Sequence, residues 1–153
     1  MPVPPIRLAA PADETAAVAL WHDCGLVVPW NDPAADFRFA LAGPASAILL
    51  AHAPDDPARL LGSVMVGHDG HRGWLYYLAT DPDRRRAGIG RALVRAAEAW
   101  LRDRGVPKLQ LMIRDTNPDV VAFYGRLGFV LTPRIVMARR LDGSDAENPF
   151  RPG

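Results

Sequence analysis

The sequence predicts a mixed α/β fold with a mostly antiparallel central sheet. Three apolar runs of strand length follow one another with turn signals between them, and a helical apolar period spans residues 89–101. Strand-like patterns occupy residues 6–8, 45–52, 60–68, 73–80, 109–113, 129–131 and 135–139. Helical patterns occupy residues 13–24, 32–42, 89–104 and 117–127. We therefore expect a sheet of six to seven strands flanked by about four helices.

The first two helices carry start and stop signals. Asp13 precedes the first helical pattern as a candidate N-cap, and Gly25 follows it as a stop. Asp32 and Pro33 repeat the start signal, because a capping residue followed by proline at the first helical position is a common helix opening. Gly43 is expected to end this second helix.

The next three strands are expected to form an antiparallel meander. Residues 54–57 are rich in turn formers, and the Asp69-Gly70 dipeptide is typical of a tight hairpin. The following run, residues 73–80, is apolar on both alternating faces. We expect that strand to lie in the middle of the sheet, covered on both sides.

Composition limits the classes of protein to consider. The 153 residues have a mass of 16.7 kDa, which fits one domain over residues 1–141, with residues 142–153 as a mobile tail. A net charge of +1 gives no global attraction to nucleic acid or to an anionic membrane. A single cysteine, Cys24, excludes an internal disulfide, and the sequence shows no signal peptide or membrane-length apolar run. We expect a cytoplasmic protein that binds neither nucleic acid nor membrane.

Residues 81–90 form a candidate anion site between a strand and the long helix. Glycines let backbone amides approach an anion, and a helix N-terminus supplies unpaired N–H groups with a partial positive charge. A solvated basic loop is the alternative for an isolated Gly-x-Gly. The Gly-Lys-Ser/Thr ending of a nucleoside triphosphate loop is absent, and antiparallel strands upstream argue against a dinucleotide fold.

Two motifs in order resemble the GNAT superfamily of acyl-coenzyme-A-dependent N-acyltransferases over residues 6–140. The first, Arg/Gln-x-x-Gly-x-Gly/Ala, is matched by Arg85, Gly88 and Gly90. The second is an Asn before a helix that carries Tyr and then a Gly-Phe pair, matched here by Asn117, Phe123, Tyr124, Gly128 and Phe129. The resemblance implies a β-bulge and a splay between strands 4 and 5, with the pantetheine arm of the coenzyme in the gap.

The segments at residues 29–33 and 69–74 are similar to those of a bacterial YpeA-type subgroup of this superfamily. The resemblance as a whole implies transfer of an acetyl group from acetyl-CoA to a primary amine, by direct attack in a ternary complex. The acceptor is a small molecule or a peptide, and the protein is a monomer or a homodimer. A non-catalytic acyl-CoA sensor is the alternative.

The resemblance also assigns site residues. Tyr124 is the general acid beside the leaving thiolate in this resemblance, whereas its helical spacing taken alone favours a core aromatic. The coenzyme-binding set comprises Leu78, Ala79, Thr80, Arg85, Arg86, Ala87, Gly88, Ile89, Gly90, Arg91, Asn117 and Tyr124. Capping of the last helix explains Asn117 equally well.

The acceptor side is less defined. Trp30, Asn31 and Tyr76 are candidates to line the acceptor pocket, and core packing is an equal explanation for Tyr76. The general base stays unassigned among Asp32, Asp69, His71 and a water molecule. No metal-binding spacing occurs among the four histidines and one cysteine, so we expect no metal.

The loop departs from the family at two positions. Arg86 and Ala87 stand where relatives often carry Gly and a basic residue. Neither position requires glycine unless its φ is positive, so we expect the amide geometry to be unchanged. The charges of residues 84–86 are then available to the 3′-phosphate of the coenzyme.

Overall fold

The computed structural model describes residues 2–143, which contain five strands and four α-helices. The strands are β1 (Ile6–Leu8), β2 (Ser46–Ala53), β3 (Asp56–His68), β4 (Gly73–Thr80) and β5 (Leu109–Gln110). The helices are α1 (Glu14–Asp23), α2 (Pro33–Ala42), α3 (Ile89–Arg102) and α4 (Pro118–Arg126). The mixed α/β class is confirmed, but the expected six to seven strands are reduced to five over the described range.

The chain divides into two compact units. The first ends at Met112 and holds all five strands with α1, α2 and α3, and the second begins at Ile113 and holds α4. Of the predicted tail, only residues 142 and 143 fall inside the described range, and both are exposed. Between residues 2 and 143, no helix combines the length and apolar character that a membrane crossing requires.

The sheet has the order β1-β2-β3-β4-β5. The first three pairings are antiparallel and the last, between β4 and β5, is parallel. The hairpin between β3 and β4 forms where Asp69-Gly70 predicted it, and β4 has the predicted bounds. The central position is occupied by β3 and not by β4, so that prediction was wrong.

Helices cover both faces of this sheet. In β3, the Ser63 side chain faces α1, where Trp21 donates a hydrogen bond to it, whereas a Cβ on Gly62 would meet Ile89 and Leu93 of α3. Neighbouring strand residues point to opposite faces, so α1 and α3 lie on opposite sides. The core on the α1 side combines Ala17, Leu20, Trp21, Phe37, Ala40, Ile48, Leu50 and Ala79.

The two predicted helix caps have different outcomes. Asp32 caps α2, since its carboxylate accepts from Ala35 N at 3.0 Å. Asp13 makes no capping bond to α1. Its Oδ2 instead accepts from Ala10 N at 2.8 Å and from Arg7 Nη1 at 2.8 Å, because the chain makes a 3₁₀ turn at Pro11–Asp13 before α1 begins.

Three expected strands are shortened or absent. The strand predicted over residues 109–113 is limited to Leu109–Gln110, and the segments 129–131 and 135–139 have no regular secondary structure. Apolar alternation alone does not produce a strand, because the backbone amides and carbonyls of a strand also need a neighbouring strand to pair with.

Candidate functional site

The loop between β4 and α3 is built by local backbone hydrogen bonds. The Asp81 carboxylate accepts from Asp83 N at 3.0 Å, and the Asp81 carbonyl accepts from Arg84 N at 2.8 Å. These bonds close the 3₁₀ turn Pro82–Arg84. Arg86 follows with a φ of 68°, the left-handed conformation that disfavours a residue with a Cβ. Glycine was expected to be unnecessary at position 86 unless its φ is positive, and this φ is positive, so glycine is the favoured residue there.

The start of α3 has no side-chain cap. Gly88 precedes the helix with a φ of 79°, and its carbonyl accepts the first helical bond from Ala92 N at 3.0 Å. The first turn contains no acidic residue. The amides of Ile89, Gly90 and Arg91 are the first of the helix, where N–H groups have no intrahelical acceptor. Such a terminus favours an anion through its dipole and its donors.

Strand β4 carries a β-bulge just before this loop. Ser63 pairs with Ala79 and Met65 pairs with Tyr76, so one residue of β3 lies opposite Tyr77 and Leu78. Tyr77 has a φ of 51°. The bulge that the resemblance implied is therefore present in β4.

The amides that follow the bulge have a defined direction. Asp81 N donates to Leu61 O on β3 at 2.9 Å, and successive strand amides point to opposite edges. The amides of Leu78 and Thr80 therefore point away from β3, toward the β5 side. Pairing with β5 is limited to Gly73 and Trp74, which agrees with the implied splay of the two strands.

Arginines surround the loop. Arg85, Arg86 and Arg91 are exposed and Arg84 is half-buried. The Cys24 thiol donates to Thr80 O at 3.2 Å, which ties the end of α1 to the end of β4. Burial raises the pKa of the Cys24 thiol, and the charge of Arg85 only partly opposes that shift.

In the second unit, the end of α4 orients Tyr124. Gly128 has a φ of 93°, and its N–H donates to Gly125 O at 3.1 Å while Phe129 N donates to Tyr124 O at 3.1 Å. This bond pair is a Schellman motif. It places Phe129 edge to face with Tyr124, with ring centroids 5.3 Å apart. The Gly-Phe pair of the second motif thus has a structural role: it ends α4 and packs an aromatic ring against Tyr124.

Tyr124 is 7% exposed, and burial raises the pKa of its phenol to about 12. The hydroxyl is consequently protonated at neutral pH. Asn117 occupies the N-cap position of α4 and is exposed, but its side chain makes no capping hydrogen bond. Side-chain capping therefore does not explain Asn117.

The similarity to known proteins is extensive. A sequence model of the acetyltransferase (GNAT) family matches residues 9–129. The chain belongs to the GNAT acetyltransferase family. An acetyltransferase of Pectobacterium atrosepticum is 39% identical over 136 residues, covering 89% of this chain and 94% of the relative. One of Yersinia enterocolitica is 38% identical with the same coverage. The predicted enzyme class, acyltransferase, is confirmed.

Solved structures show the same GNAT fold. A putative acetyltransferase from Agrobacterium tumefaciens has a TM-score of 0.73 at 23% identity, covering 89% of this chain and 99% of that chain. The aminoglycoside N-acetyltransferase AAC(6')-Iy in complex with CoA has a TM-score of 0.76 at 18% identity, covering 90% and 94%. The aminoglycoside acetyltransferase meta-AAC0020 with sisomicin, from a soil metagenome, has a TM-score of 0.72 at 14% identity, covering 89% and 94%.

The candidate acceptor residues of this GNAT protein lie in the first unit. Trp30 is half-buried and Asn31 exposed, both on the loop before α2, and Tyr76 is 46% exposed on β4. That exposure argues against core packing for Tyr76. Burial raises the pKa of the Tyr76 phenol, and the nearby charge of Asp69 adds to the shift.

Two of the candidate bases have structural roles. The Asp69 carboxylate accepts from Arg72 N at 2.7 Å, His71 N at 2.9 Å and Trp74 Nε1 at 3.1 Å. These bonds lower the pKa of Asp69 to about 2, which makes it a poor proton acceptor at neutral pH. Asp32 is engaged as the cap of α2.

Sequence reasoning missed three features of this region. Ser63 and Asp36 both bond to Tyr77, and neither lies in a recognisable motif. No glycine in the sequence indicated the left-handed φ at position 86, which is occupied by Arg86.

Within residues 2–143, no group of three or more His, Cys, Asp or Glu is arranged to hold a metal ion.

Proposed function

We propose that this chain is an N-acetyltransferase that transfers an acetyl group from acetyl-CoA to a primary amine by direct attack in a ternary complex. The observation that carries the proposal is the uncapped, acid-free start of α3 behind Gly88, directly after a bulged strand. That arrangement suits a ligand with a diphosphate and an extended amide-bearing arm. The structural neighbour AAC(6')-Iy, complexed with CoA, supports the same ligand class.

The acyl donor is held by backbone groups in this proposal. The diphosphate accepts from amides of residues 87–91 at the positive end of the α3 dipole. The pantetheine arm pairs with the outward amides of Leu78 and Thr80. Exposed Arg85 and Arg86 add charge complementarity to the phosphates, and this contribution is screened by salt. Asn117 supplies a further hydrogen bond to the coenzyme.

The transfer step needs a neutral amine and a stabilised leaving group. The amine nitrogen attacks the thioester carbonyl carbon, the C–S bond breaks, and the departing sulfur takes up a proton. One of the outward β4 amides stabilises the developing oxyanion. Tyr124 is the proton donor to sulfur, as the family resemblance implies.

The pKa of Tyr124 shapes that role. A free thiolate has a pKa near ~8.5, so complete proton transfer from a phenol with a pKa of about 12 is uphill by about 5 kcal/mol. Tyr124 therefore acts first as a hydrogen-bond donor that stabilises the developing thiolate. As CoA departs, the thiolate takes one proton from Tyr124 or from water, and the proton that the attacking amine lost replaces it, so no net proton is gained or lost.

The acceptor is a primary amine bound against an aromatic surface. Trp30, Asn31 and Tyr76 provide aromatic walls and a polar group to orient it. The neighbours that act on aminoglycosides support an amine of small-molecule type. The base that removes a proton from the amine is His71 or a water molecule in this proposal. The other two candidates already have structural roles, Asp69 in a turn and Asp32 as a helix cap.

Calorimetry with acetyl-CoA and thiol release with a panel of amines test the proposal. The panel contains an aminoglycoside, a polyamine and a peptide with a free N-terminus. Arg91→Glu places a carboxylate in the first turn of α3, where it suits the helix dipole but repels a diphosphate. We expect it to weaken acetyl-CoA binding by about tenfold or more.

Arg102→Glu is the matched control. It makes the same charge change in the last turn of the same helix, roughly 16 Å along the axis. We expect a change in affinity of less than about twofold. No heat with the unaltered protein contradicts the proposal, and binding without turnover of any amine favours the acyl-CoA sensor.

A further inference from the structure

The bulge in β4 holds a residue in an unfavourable conformation. Tyr77 has a φ of 51°, where bulges of this kind usually place glycine. Left-handed non-glycine residues are costly and persist only where surrounding contacts over-determine them. The contacts around Tyr77 therefore indicate what maintains the bulge.

Ser63 provides the hydrogen-bond donor for the backbone carbonyl of Tyr77 in the bulge. It is fully buried on β3, with 0% exposure. Its Oγ accepts from Trp21 Nε1 at 2.9 Å and donates to Tyr77 O at 2.9 Å. Since the indole N–H is only a donor and the carbonyl only an acceptor, the hydroxyl proton has one consistent position.

The Tyr77 side chain is held as well. Its ring stacks on Trp21 with centroids 3.9 Å apart and planes 15° from parallel. Its hydroxyl donates to Asp36 Oδ2 of α2 at 2.6 Å. Helices α1 and α2 and strand β3 thus all hold one residue of β4, at its carbonyl, ring and hydroxyl.

We infer that Ser63 is a positioning residue for acyl-coenzyme-A binding: by holding the Tyr77 carbonyl toward β3, it sets the direction of the next amide, that of Leu78, toward the pantetheine arm. The inference rests on the proposed function. A peptide plane joins the Tyr77 carbonyl rigidly to the Leu78 N–H. Fixing the carbonyl therefore fixes the amide that the proposal assigns to the coenzyme.

Comparison of two ligands in the Ser63→Ala variant separates positioning from general structure. CoA carries the pantetheine arm, and adenosine 3′,5′-bisphosphate lacks it and reports on nucleotide and phosphate binding alone. We expect the Kd of CoA to rise about tenfold, with that of the bisphosphate changed by less than about twofold. In the amine assay, the KM for acetyl-CoA rises more than kcat falls.

Ser46→Ala is the matched control. Ser46 also donates from Oγ to a backbone carbonyl, that of Ala40, at 2.7 Å, and joins β2 to α2. We expect this variant to lower Tm while leaving the ratio of the two affinities unchanged. Ser63→Cys keeps a weak donor at nearly the same volume, and we expect an intermediate loss of CoA affinity. It replaces Ser63→Ala in the comparison if that variant does not fold.

The outcomes distinguish this inference from the proposed function. If the unaltered protein binds no CoA, the proposed function fails and this inference with it. If the unaltered protein binds CoA and Ser63→Ala binds it equally well, only the inference is overturned. An equal loss of both ligands also overturns it, because the role of Ser63 is then general stability.

Discussion

Tyr124 and Phe129 pack edge to face, with ring planes 73° apart, across the C-terminus of α4. The Schellman bonds through Gly128 bring the two rings together, so the orientation of the proposed acid depends on a backbone motif six residues long, from Tyr124 to Phe129. A hydrophobic contact of this kind commonly accompanies the motif. The glycine and the aromatic after it are therefore part of the local support of Tyr124.

Gly128→Ala is expected to destabilise the end of α4. A Cβ at this position meets nothing within 4 Å, so the cost is conformational, from a φ of 93°. We expect a loss of about 1 to 2 kcal/mol, measured by urea denaturation. Gly125→Ala is the control, since that position is helical and equally open, and we expect it to stabilise the protein by up to ~1 kcal/mol. Equal effects of the two substitutions contradict the assigned cause.

Tyr124→Phe is expected to lower kcat about 100-fold while changing the Kd of acetyl-CoA little. Only the hydroxyl is removed, and the ring keeps its packing against Phe129. Because burial raises the pKa of Tyr124 to about 12, the rate of the unaltered enzyme should rise as the amine loses its proton. The profile should show no decline from this tyrosine up to about pH 10. An unchanged kcat in the variant removes Tyr124 from the mechanism.

Arg86→Gly is expected to relieve strain in the coenzyme loop. Arg86 has a φ of 68°, whereas its neighbour Arg85 has a φ of −62° and a ψ of 150°, an ordinary extended conformation. Glycine at position 86 removes a left-handed penalty of about 1 to 2 kcal/mol, against a chain-entropy cost of about 0.5 to 1 kcal/mol. We expect a small gain in stability, measured by urea denaturation.

Arg85→Gly is the matched control for Arg86→Gly. Both variants remove one arginine from the loop, but glycine at position 85 relieves no left-handed strain, and it brings the entropic cost together with the loss of the Arg85 interaction with the Cys24 thiol. We expect Arg85→Gly to be less stable than Arg86→Gly by about 1 to 2 kcal/mol. The reverse order of stability contradicts the strain at Arg86.

Local patterns predicted the first unit well. The hairpin at Asp69-Gly70 and the Asp32 cap of α2 each depend on a few adjacent residues, and both formed where the sequence placed them. The order of the sheet was less accessible. Apolar residues on both faces of β4 predicted a strand covered on both sides, but Tyr76 is 46% exposed and Trp74 and Leu78 are only half-buried. The pattern also does not distinguish the central strand from the next one.

Features that depend on distant contacts could not be predicted. Residues 129–131 and 135–139 alternate like strands, yet no pairing partner is visible in the sequence. Ser63 looks like any small strand residue, and only the folded chain brings Trp21 and Tyr77 to its hydroxyl. No glycine in the sequence marks the position of the bulge, which has Tyr77 instead. The bulge could therefore be expected only from the family resemblance.

The ion pair between Arg7 and Asp13 is expected to make stability depend on acid pH. Both guanidinium Nη atoms donate to the carboxylate, at 2.8 and 2.9 Å, and the Arg7 hydrogen bonds hold the pKa of Asp13 below its ordinary 3.8. A carboxylate with a lowered folded pKa contributes stability above about pH 4, and that contribution is lost as the pH falls through the folded pKa. Asp13→Asn should therefore cost about 1 to 3 kcal/mol at pH 7 and progressively less below pH 4, measured by urea denaturation across this range.

Glu14→Gln is the comparison for Asp13→Asn. Glu14 pairs with the exposed Arg38 in a pair screened by solvent, so the effect of its substitution on stability at pH 7 should be much smaller. A cost of Asp13→Asn that stays constant down to pH 2.5 contradicts the assigned role of the ion pair.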